Sequence, residues 1–446
     1  MSPGPKRRLP PRLCRSGAGY RPGRRFPAPC RDDSPHPRLP RWRELPPTAG
    51  LPLLWRDLRP GGDAKEMEVA LADFLGVEET LLTCSGTAAL MVALRTLMAL
   101  SPRRRVVVPG FTCPLVAIAI HALGLEVCPC DTLPGTAELD PASLAPLCDG
   151  NLLAVLPTHL AGRVAALDAV LALAEGCGAW VIEDAAQALG ARAGGLPVGL
   201  RGHIGFFSLA VGKGLTLYEG GVLVSRDPAL RQGLRDSATA MLRPDRWMEA
   251  RRGLELLGYG LLYHPLGLTM AYGRGLRRSL GAGDIEAALG DRFPTEVPLH
   301  RVGSWRRAVG RRALERLPAF LAATRRQGQD FAARLASCPG LRVLRDRAGE
   351  QGTWPVLVLV FDRARDAEAA LARLWREGLG VSRLFARALP DYAYLGGIVP
   401  DRPCPQARDF AARSLSIGNS LFLRPGERER ILSVLGEVLR DGAGHP

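Results

Sequence analysis

Between Leu81 and Ala191 the chain alternates short apolar runs with longer apolar helical stretches. LLTCSGTAALMVALRTLMAL (81–100) reads as a short strand, a Ser85-Gly86-Thr87 turn and a helix. RVVVP (105–109) is a buried strand, FTCPLVAIAIHALG (111–124) a helix, and LEVCPCD (125–131) a strand ending on an acid. LLAVLPTHLAG (152–162) is a strand entering a glycine turn, and VAALDAVLALAEGCG (164–178) is a helix. AWVIEDAAQALGA (179–191) is a strand followed by a helix start. Strands apolar on both faces, alternating with helices, require a mainly parallel sheet covered on both sides. The expected fold class is therefore α/β, with chemistry at the carboxyl ends of the strands.

The flanking sequence adds a second body. An irregular lead-in reaches Asp63, and AKEMEVALADFLG (64–76) is an amphipathic helix with Gly76 as its C-cap. GVLVS (221–225) is a further strand. From Ser237 to Pro298 the sequence turns glycine-rich and partly aromatic, as in LELLGYGLLYHPLGLTMAYGRGL (254–276). Its interruptions exclude a bilayer span, and it reads as a buried helical insertion rather than a monotopic surface contact. A long helical region begins about Gly303. The strand TWPVLVLVFD (353–362), the helix ARDAEAALARLWREG (364–378) and a turn with closing helix at 421–442 follow. They give a smaller α+β C-terminal domain. The expected division is a tail over 1–42, a large domain over 43–300 and a small domain over 301–446.

Charge separates the tail from the body. Residues 1–45 carry +9 of the net +15, so the remainder is only mildly basic. The Pro/Arg/Gly-rich tail cannot bury enough apolar surface to offset chain entropy, and it is expected to be disordered. It reads as a plain extension in preference to a nucleic-acid-binding arm. It has no apolar core of a secretory signal, so a cytoplasmic protein with reduced thiols is expected. The ten cysteines form no paired CxxC units, and no metal site is expected.

The candidate chemistry lies in GFFSLAVGKGLTLYEGG (205–221), where Lys213 stands between Gly212 and Gly214. Small neighbours let another molecule approach the amine closely. A lysine forming a Schiff base with pyridoxal phosphate needs an acid for the pyridine nitrogen and backbone donors for the phosphate. Asp184, at a strand end, is the candidate acid; Gln187 would share its face one helical turn on. The Ser85-Gly86-Thr87 helix start offers N–H groups and a favourable dipole, and Ser208 a hydroxyl. Each feature alone has an ordinary alternative: a solvated lysine, an acidic turn, a common N-cap. Neither a Walker A loop nor a dinucleotide-binding G-x-G-x-x-G is present in the required context.

Six segments, taken in order, carry a family resemblance: CSGTAAL (84–90), VVVPGFTC (106–113), LPTHLAG (156–162), VIEDAAQALGA (181–191), GHIGFFSLAVGKGLTLYEGG (202–221) and HRVGSWRRAVGRRALERL (300–317). The chain resembles the DegT/DnrJ/EryC1/StrS family of pyridoxal-phosphate sugar aminotransferases. The resemblance runs from about Arg43 to the C-terminus, leaving the insertion at 237–298 unmatched, and implies the type I (aspartate aminotransferase-like) fold. It implies that Lys213 anchors pyridoxal 5'-phosphate and shuttles protons, that Asp184 pairs with the pyridinium nitrogen, and that Gln187 contacts the ring hydroxyl. Gly86, Thr87 and Ser208 would hold the phosphate. Cys113 stands where the family has an aromatic ring stacked on the cofactor, leaving His159 as another side chain to cover that face. Arg301 matches the arginine that reaches a neighbouring subunit's site, although the residues before it are altered. SIGNS (416–420) replaces a segment that tends to hold a Pro and a His.

The resemblance implies a cytoplasmic homodimeric aminotransferase with shared sites, moving an amino group from glutamate to a keto group of a nucleotide-linked sugar. The presence of Lys213 favours amination over the dehydrating branch, which has a histidine there. The alternatives are another pyridoxal-phosphate reaction, such as aminating and aromatising a cyclic keto acid, or a silent regulatory paralogue.

Overall fold

The computed structural model describes residues 42–61 and 66–443. The expectations for the tail up to Arg41 and for the first two residues of the 64–76 helix lie outside the described residues. The strands of the large domain are β1 (Leu81–Thr83), β2 (Arg105–Pro109), β3 (Glu126–Cys130), β4 (Leu152–Val155), β5 (Trp180–Asp184), β6 (Ile204–Ser208) and β7 (Gly221–Val224). They form one sheet in the order β1-β7-β6-β5-β4-β2-β3. Pairings from β6 across to β3 are parallel, and β7 alone runs antiparallel to both its neighbours. A parallel neighbour needs a crossover, usually helical. The 209–220 loop contains no helix, so β7 returns beside β6 in the opposite direction.

Helices α1 (Glu66–Leu75), α2 (Gly86–Leu100), α3 (Pro114–Ala122) and α4 (Asp168–Cys177) belong to this domain. Residues of α2 from Ala88 to Leu94 are all buried, so this helix forms a central part of the core. The helix start expected after Asp184 does not form; residues 185–190 are turns. Ala185 N–H bonds the carbonyl of Phe206 on β6 at 2.9 Å, and the Asp184 side chain accepts from Ala186 N–H at 3.0 Å. Beyond them the amides of Ala188 and Ala191 close short turns onto the Ala185 and Ala188 carbonyls, both at 2.9 Å, and Gly190 at φ +97° turns the chain away.

The segment between Ser237 and Pro298 is largely helical, with α5 (Pro228–Met241) leading in, then α6 (Arg246–Leu262) and α7 (Arg274–Ala282). Asp245 caps α6 by accepting from Met248 N–H. Helix α6 buries Arg252, Leu256 and Tyr259 on one side. The opposite side leaves Trp247 79%, Leu254 71% and Leu261 50% exposed, together with Leu257. No helix among the described residues is long and apolar enough to cross a membrane.

Helices α8 (Ser304–Leu314) and α9 (Leu317–Leu335) lead into the C-terminal part. There β8 (Leu341–Val343), β9 (Val356–Phe361), β10 (Val381–Ser382) and β11 (Ser414–Gly418) form an antiparallel sheet in the order β8-β9-β11-β10. Helices α10 (Ala364–Leu374), α11 (Pro405–Arg413) and α12 (Pro425–Ala443) cover it. Phe331 and Leu335 of α9 enter the same apolar core as Leu357 and Phe361 of β9.

Candidate active site

The parallel strands deliver their polar residues to one edge of the sheet. Gly86 follows β1, Cys113 follows β2, His159 follows β4, Asp184 ends β5 and Ser208 ends β6. Ser85 caps α2 by accepting from Ala88 N–H at 3.0 Å, leaving the Gly86 and Thr87 amides without intrahelical acceptors. A Cβ on Gly86 would lie 3.0 Å from Ser208 Cβ and 3.3 Å from its hydroxyl. One on Gly221 would lie 2.2 Å from the Ser85 carbonyl oxygen. The start of α2, the end of β6 and the start of β7 are therefore in contact. Exposed helix N–H groups beside a serine hydroxyl form a cradle suited to a phosphate.

Lys213 lies on the loop between β6 and β7. Both flanking glycines have φ in the left-handed region, +77° at Gly212 and +79° at Gly214. Leu51 N–H donates to the Gly214 carbonyl at 2.8 Å. Although Lys213 is partly exposed as a residue, its amine is desolvated, which pushes its pKa down; the nearby Cys113 and Asp184 oppose the shift. Burial pushes the Cys113 thiol up to about 12, with Lys213 acting against it. Burial also raises the Asp184 carboxyl, opposed by the Ala186 amide and then by Lys213 and His159. The acid and the amine are thus both desolvated and within electrostatic reach of each other, and Lys213 lines a small cavity with Gln187, Thr324 and Thr353.

Gln187 lines the same cavity as Lys213 although the helix meant to align it with Asp184 is absent. Its side-chain oxygen accepts from Ala161 N–H at 2.7 Å. His159 is buried, with Nδ1 accepting from Ala165 N–H at 3.0 Å and Nε2 donating to Glu183 at 2.8 Å. Both ring nitrogens are thereby committed to the scaffold. Arg301 is not brought to the lysine cavity: it is exposed, and its Nε donates to the Leu242 carbonyl at 2.9 Å.

Sequence reasoning passed over Glu183 as half of an acidic turn. Its carboxylate is fully buried and accepts from the Gly199, Arg201 and Gly202 amides as well as from His159. Burial opposes its ionisation, but these donors hold its pKa below the ordinary value. The small domain also contributes: Asn419, within SIGNS, donates to the Thr324 carbonyl at 2.7 Å and the Trp354 carbonyl at 2.8 Å. The only available signal was a buried-looking Asn ending an apolar strand.

Comparison with known proteins matches residues 55–259 to the DegT/DnrJ/EryC1/StrS aminotransferase family. The match covers just under half of the chain and runs into α6, part of the 237–298 stretch expected to be unmatched. L-glutamine:2-deoxy-scyllo-inosose aminotransferase of Streptomyces paromomycinus is 39% identical over 35% of this chain and 37% of its own length. GDP-perosamine synthase of Caulobacter vibrioides is 35% identical over 38% of this chain and 46% of its own. The chain thus spans less than half the length of these relatives at that similarity. A longer match covers 84% of this chain and 87% of dTDP-3-amino-3,4,6-trideoxy-alpha-D-glucose transaminase of Streptomyces venezuelae, at 26% identity. The DegT/DnrJ/EryC1/StrS segment contains the α2 cradle, Asp184 and the lysine loop. Among solved structures, S. venezuelae DesV in complex with a ketimine intermediate superposes with a TM-score of 0.64 at 24% identity, covering 85% of this chain and 90% of that one. Helicobacter pylori PseC, an aminotransferase involved in pseudoaminic acid biosynthesis, gives 0.69 at 16% identity, covering 90% and 100%. The described residues therefore have the type I fold, with the lysine loop between two strands of the large sheet.

Proposed function

We propose that the protein is a pyridoxal-phosphate-dependent aminotransferase that moves an amino group, from glutamate, to a keto group of a nucleotide-linked sugar. The carrying observation is the desolvated Lys213 amine within electrostatic reach of the buried Asp184, at the sheet edge that also carries the N–H cradle of α2. The residues fit the cofactor: Gly86, Thr87 and Ser208 would hold its phosphate, Asp184 its ring nitrogen and Gln187 its ring hydroxyl. When bound, pyridoxal phosphate supplies an electron-withdrawing ring that stabilises negative charge on the carbon losing a proton.

The chain's own residues supply the rest. A depressed amine pKa keeps more of Lys213 neutral near pH 7, the form able to attack a carbonyl and to accept a proton. Asp184, as a carboxylate, would hold a proton on the ring nitrogen. Glycines on both sides of Lys213 leave its amine approachable and let the loop pass tightly over residues 48–51.

The protein is read as a homodimer. Trp247, Ala250, Leu254, Leu257 and Leu261 recur at alternating spacings of three and four along the outward side of α6. Such a stripe is the seam of a helix pair rather than a solvated face. Arg301, exposed near the N-terminal end of α6, is available to a partner subunit's site. Purified protein should show an absorbance band near ~400–430 nm that borohydride abolishes, as a lysine–aldehyde Schiff base requires. It should also turn over glutamate with a panel of nucleotide ketosugars. Absence of the band in protein supplied with pyridoxal phosphate would sink the reading.

A further inference from the structure

The helical segment after β7 grips the lysine loop at two places, and both grips draw on the inner side of α6. The first runs through Arg306 of α8, the largest fully buried side chain among the described residues. Its Nε and Nη2 each lie 2.7 Å from the two carboxylate oxygens of Glu249 on α6, a bidentate pair. Its Nη1 donates to the Leu217 carbonyl at 3.0 Å and the Glu219 carbonyl at 2.6 Å. Arg252, also on α6, bonds the Glu219 carboxylate at 2.8 Å and lies 5.9 Å from the centre of the Tyr218 ring. Tyr218 itself has φ +68°, a conformation an aromatic residue holds only when its surroundings over-determine it. Here the carbonyls on both sides of it are held by one guanidinium.

The second grip is one step removed. Tyr259 and Tyr263 stack at 4.4 Å near the end of α6. The Tyr263 hydroxyl accepts from Gly50 N–H at 2.7 Å, and the Tyr259 hydroxyl donates to the Leu51 carbonyl at 3.1 Å. Gly50 and Leu51 in turn pair with Gly214, the residue next to Lys213. On Gly212 a Cβ would lie 2.1 Å from the Thr48 hydroxyl, so the other flank of the lysine rests on the same segment.

We propose that Glu249, acting through Arg306, and Tyr263, acting through residues 48–51, are positioning residues that fix the loop presenting the Lys213 amine. This rests on the reading of Lys213 as the reactive amine, but its physical content, a loop clamped by α6, does not need cofactor. Geometry favours a dedicated clamp over general packing for a specific reason. The hydrogen bonds end on main-chain atoms of the lysine loop and of the segment paired with it, while neither α6 nor α8 contributes a residue to the lysine cavity.

The experiment compares Glu249→Gln, Arg306→Lys and Tyr263→Phe with Arg251→Ala. Arg251 is an exposed α6 residue paired with Glu255, and its variant serves as the control. In cofactor-free protein, amide hydrogen exchange is followed over 209–220, with β5 and α2 as internal references. Lys213 acetylation is followed by mass spectrometry across pH. Exchange should quicken about tenfold at 215–220 in the first two variants and at 210–215 in Tyr263→Phe, as loss of a net hydrogen bond of ordinary strength implies. The pH midpoint of acetylation should move up toward that of a free lysine, and in cofactor-loaded protein kcat should fall with KM little changed. Arg251→Ala should leave all of these alone. If Arg306→Lys does not fold, Glu249→Gln, at a partly exposed carboxylate, and Tyr263→Phe carry the test. Unchanged exchange and acetylation, or faster exchange spread evenly over β5 and α2, overturns the proposal. A wild-type protein that never binds pyridoxal phosphate overturns the function instead, and leaves the exchange result to decide the clamp.

Discussion

His159 Nε2 lies 2.8 Å from Glu183 Oε2, and neither side chain reaches solvent. Glu183 also takes three main-chain amides from residues 199–202, tying the β4–β5 edge to the approach to β6. Glu183→Gln sets an amide N–H against these donors and leaves at least one unpaired. It should cost about 3 kcal/mol, the range for breaking a buried charge network, read as a lower denaturant midpoint.

The same carboxylate makes stability depend on pH. Its folded pKa is depressed, so its contribution is complete above the unfolded value near ~4.3 and is lost as pH falls through the lower folded value. Urea titrations from pH 7 downward should show stability dropping across that window, and the drop should shrink in Glu183→Gln. An identical acid profile in the variant would contradict the assignment.

Asp184 has the opposite character. Burial raises its folded pKa, so cofactor-free protein gains from it at low pH and loses that gain as pH rises from the unfolded through the folded value. Asp184→Asn should leave the cofactor-free protein at least as stable as wild type at pH 7 by thermal melting. Its aminotransferase turnover should nevertheless fall about 10²-fold or more, the scale for removing one preorganised electrostatic partner. Loss of stability in step with activity would mean that the residue is structural.

How far the sequence could be read follows from how local each signal is. The alternating strands and helices, and the strand-end positions of Asp184, Ser208 and the α2 start, were legible because each element announces itself within a dozen residues. Gln187 was placed for the wrong local reason: after Asp184 the chain closes successive short turns, at Ala188 and Ala191, in place of a helix. The pairing of Glu249 with Arg306 spans 57 positions and the His159–Glu183 pair 24. Neither is written in any period, and Glu183 looked like half of a solvated turn. The 254–276 stretch looked irregular because one helix there serves two environments, aromatic hydroxyls inward and bare leucines outward.

That outward side yields a further prediction. Leu254→Glu combined with Leu261→Glu touches no buried contact of α6 and should leave the melting temperature within a few degrees, since surface changes usually stay within about 0.5 kcal/mol. Light scattering after size exclusion should then give a mass near the 47.9 kDa of a single chain, against twice that for the unaltered protein. A doubled mass in the variant would move the subunit contact elsewhere.

Gly212→Ala tests the tightness of the lysine loop. At φ +77°, with Thr48 Oγ1 2.1 Å from the new carbon, the change should destabilise by about 1–2 kcal/mol and weaken the absorbance band. Adding Thr48→Ala should relieve the clash but not the backbone strain, so recovery of the melting temperature should be partial.

The Arg306 guanidinium also bears on how this chain can vary. It is wholly enclosed, and its carboxylate partner stands on α6. The segment after β7 is thus no detachable ornament on a family scaffold. Shortening it to the length of a plain connection would strand a buried positive charge, at a cost on the order of 3–5 kcal/mol. Helix and arginine are tied to one another, so descendants of this chain should either keep both or replace the arginine in the same step that trims the helix.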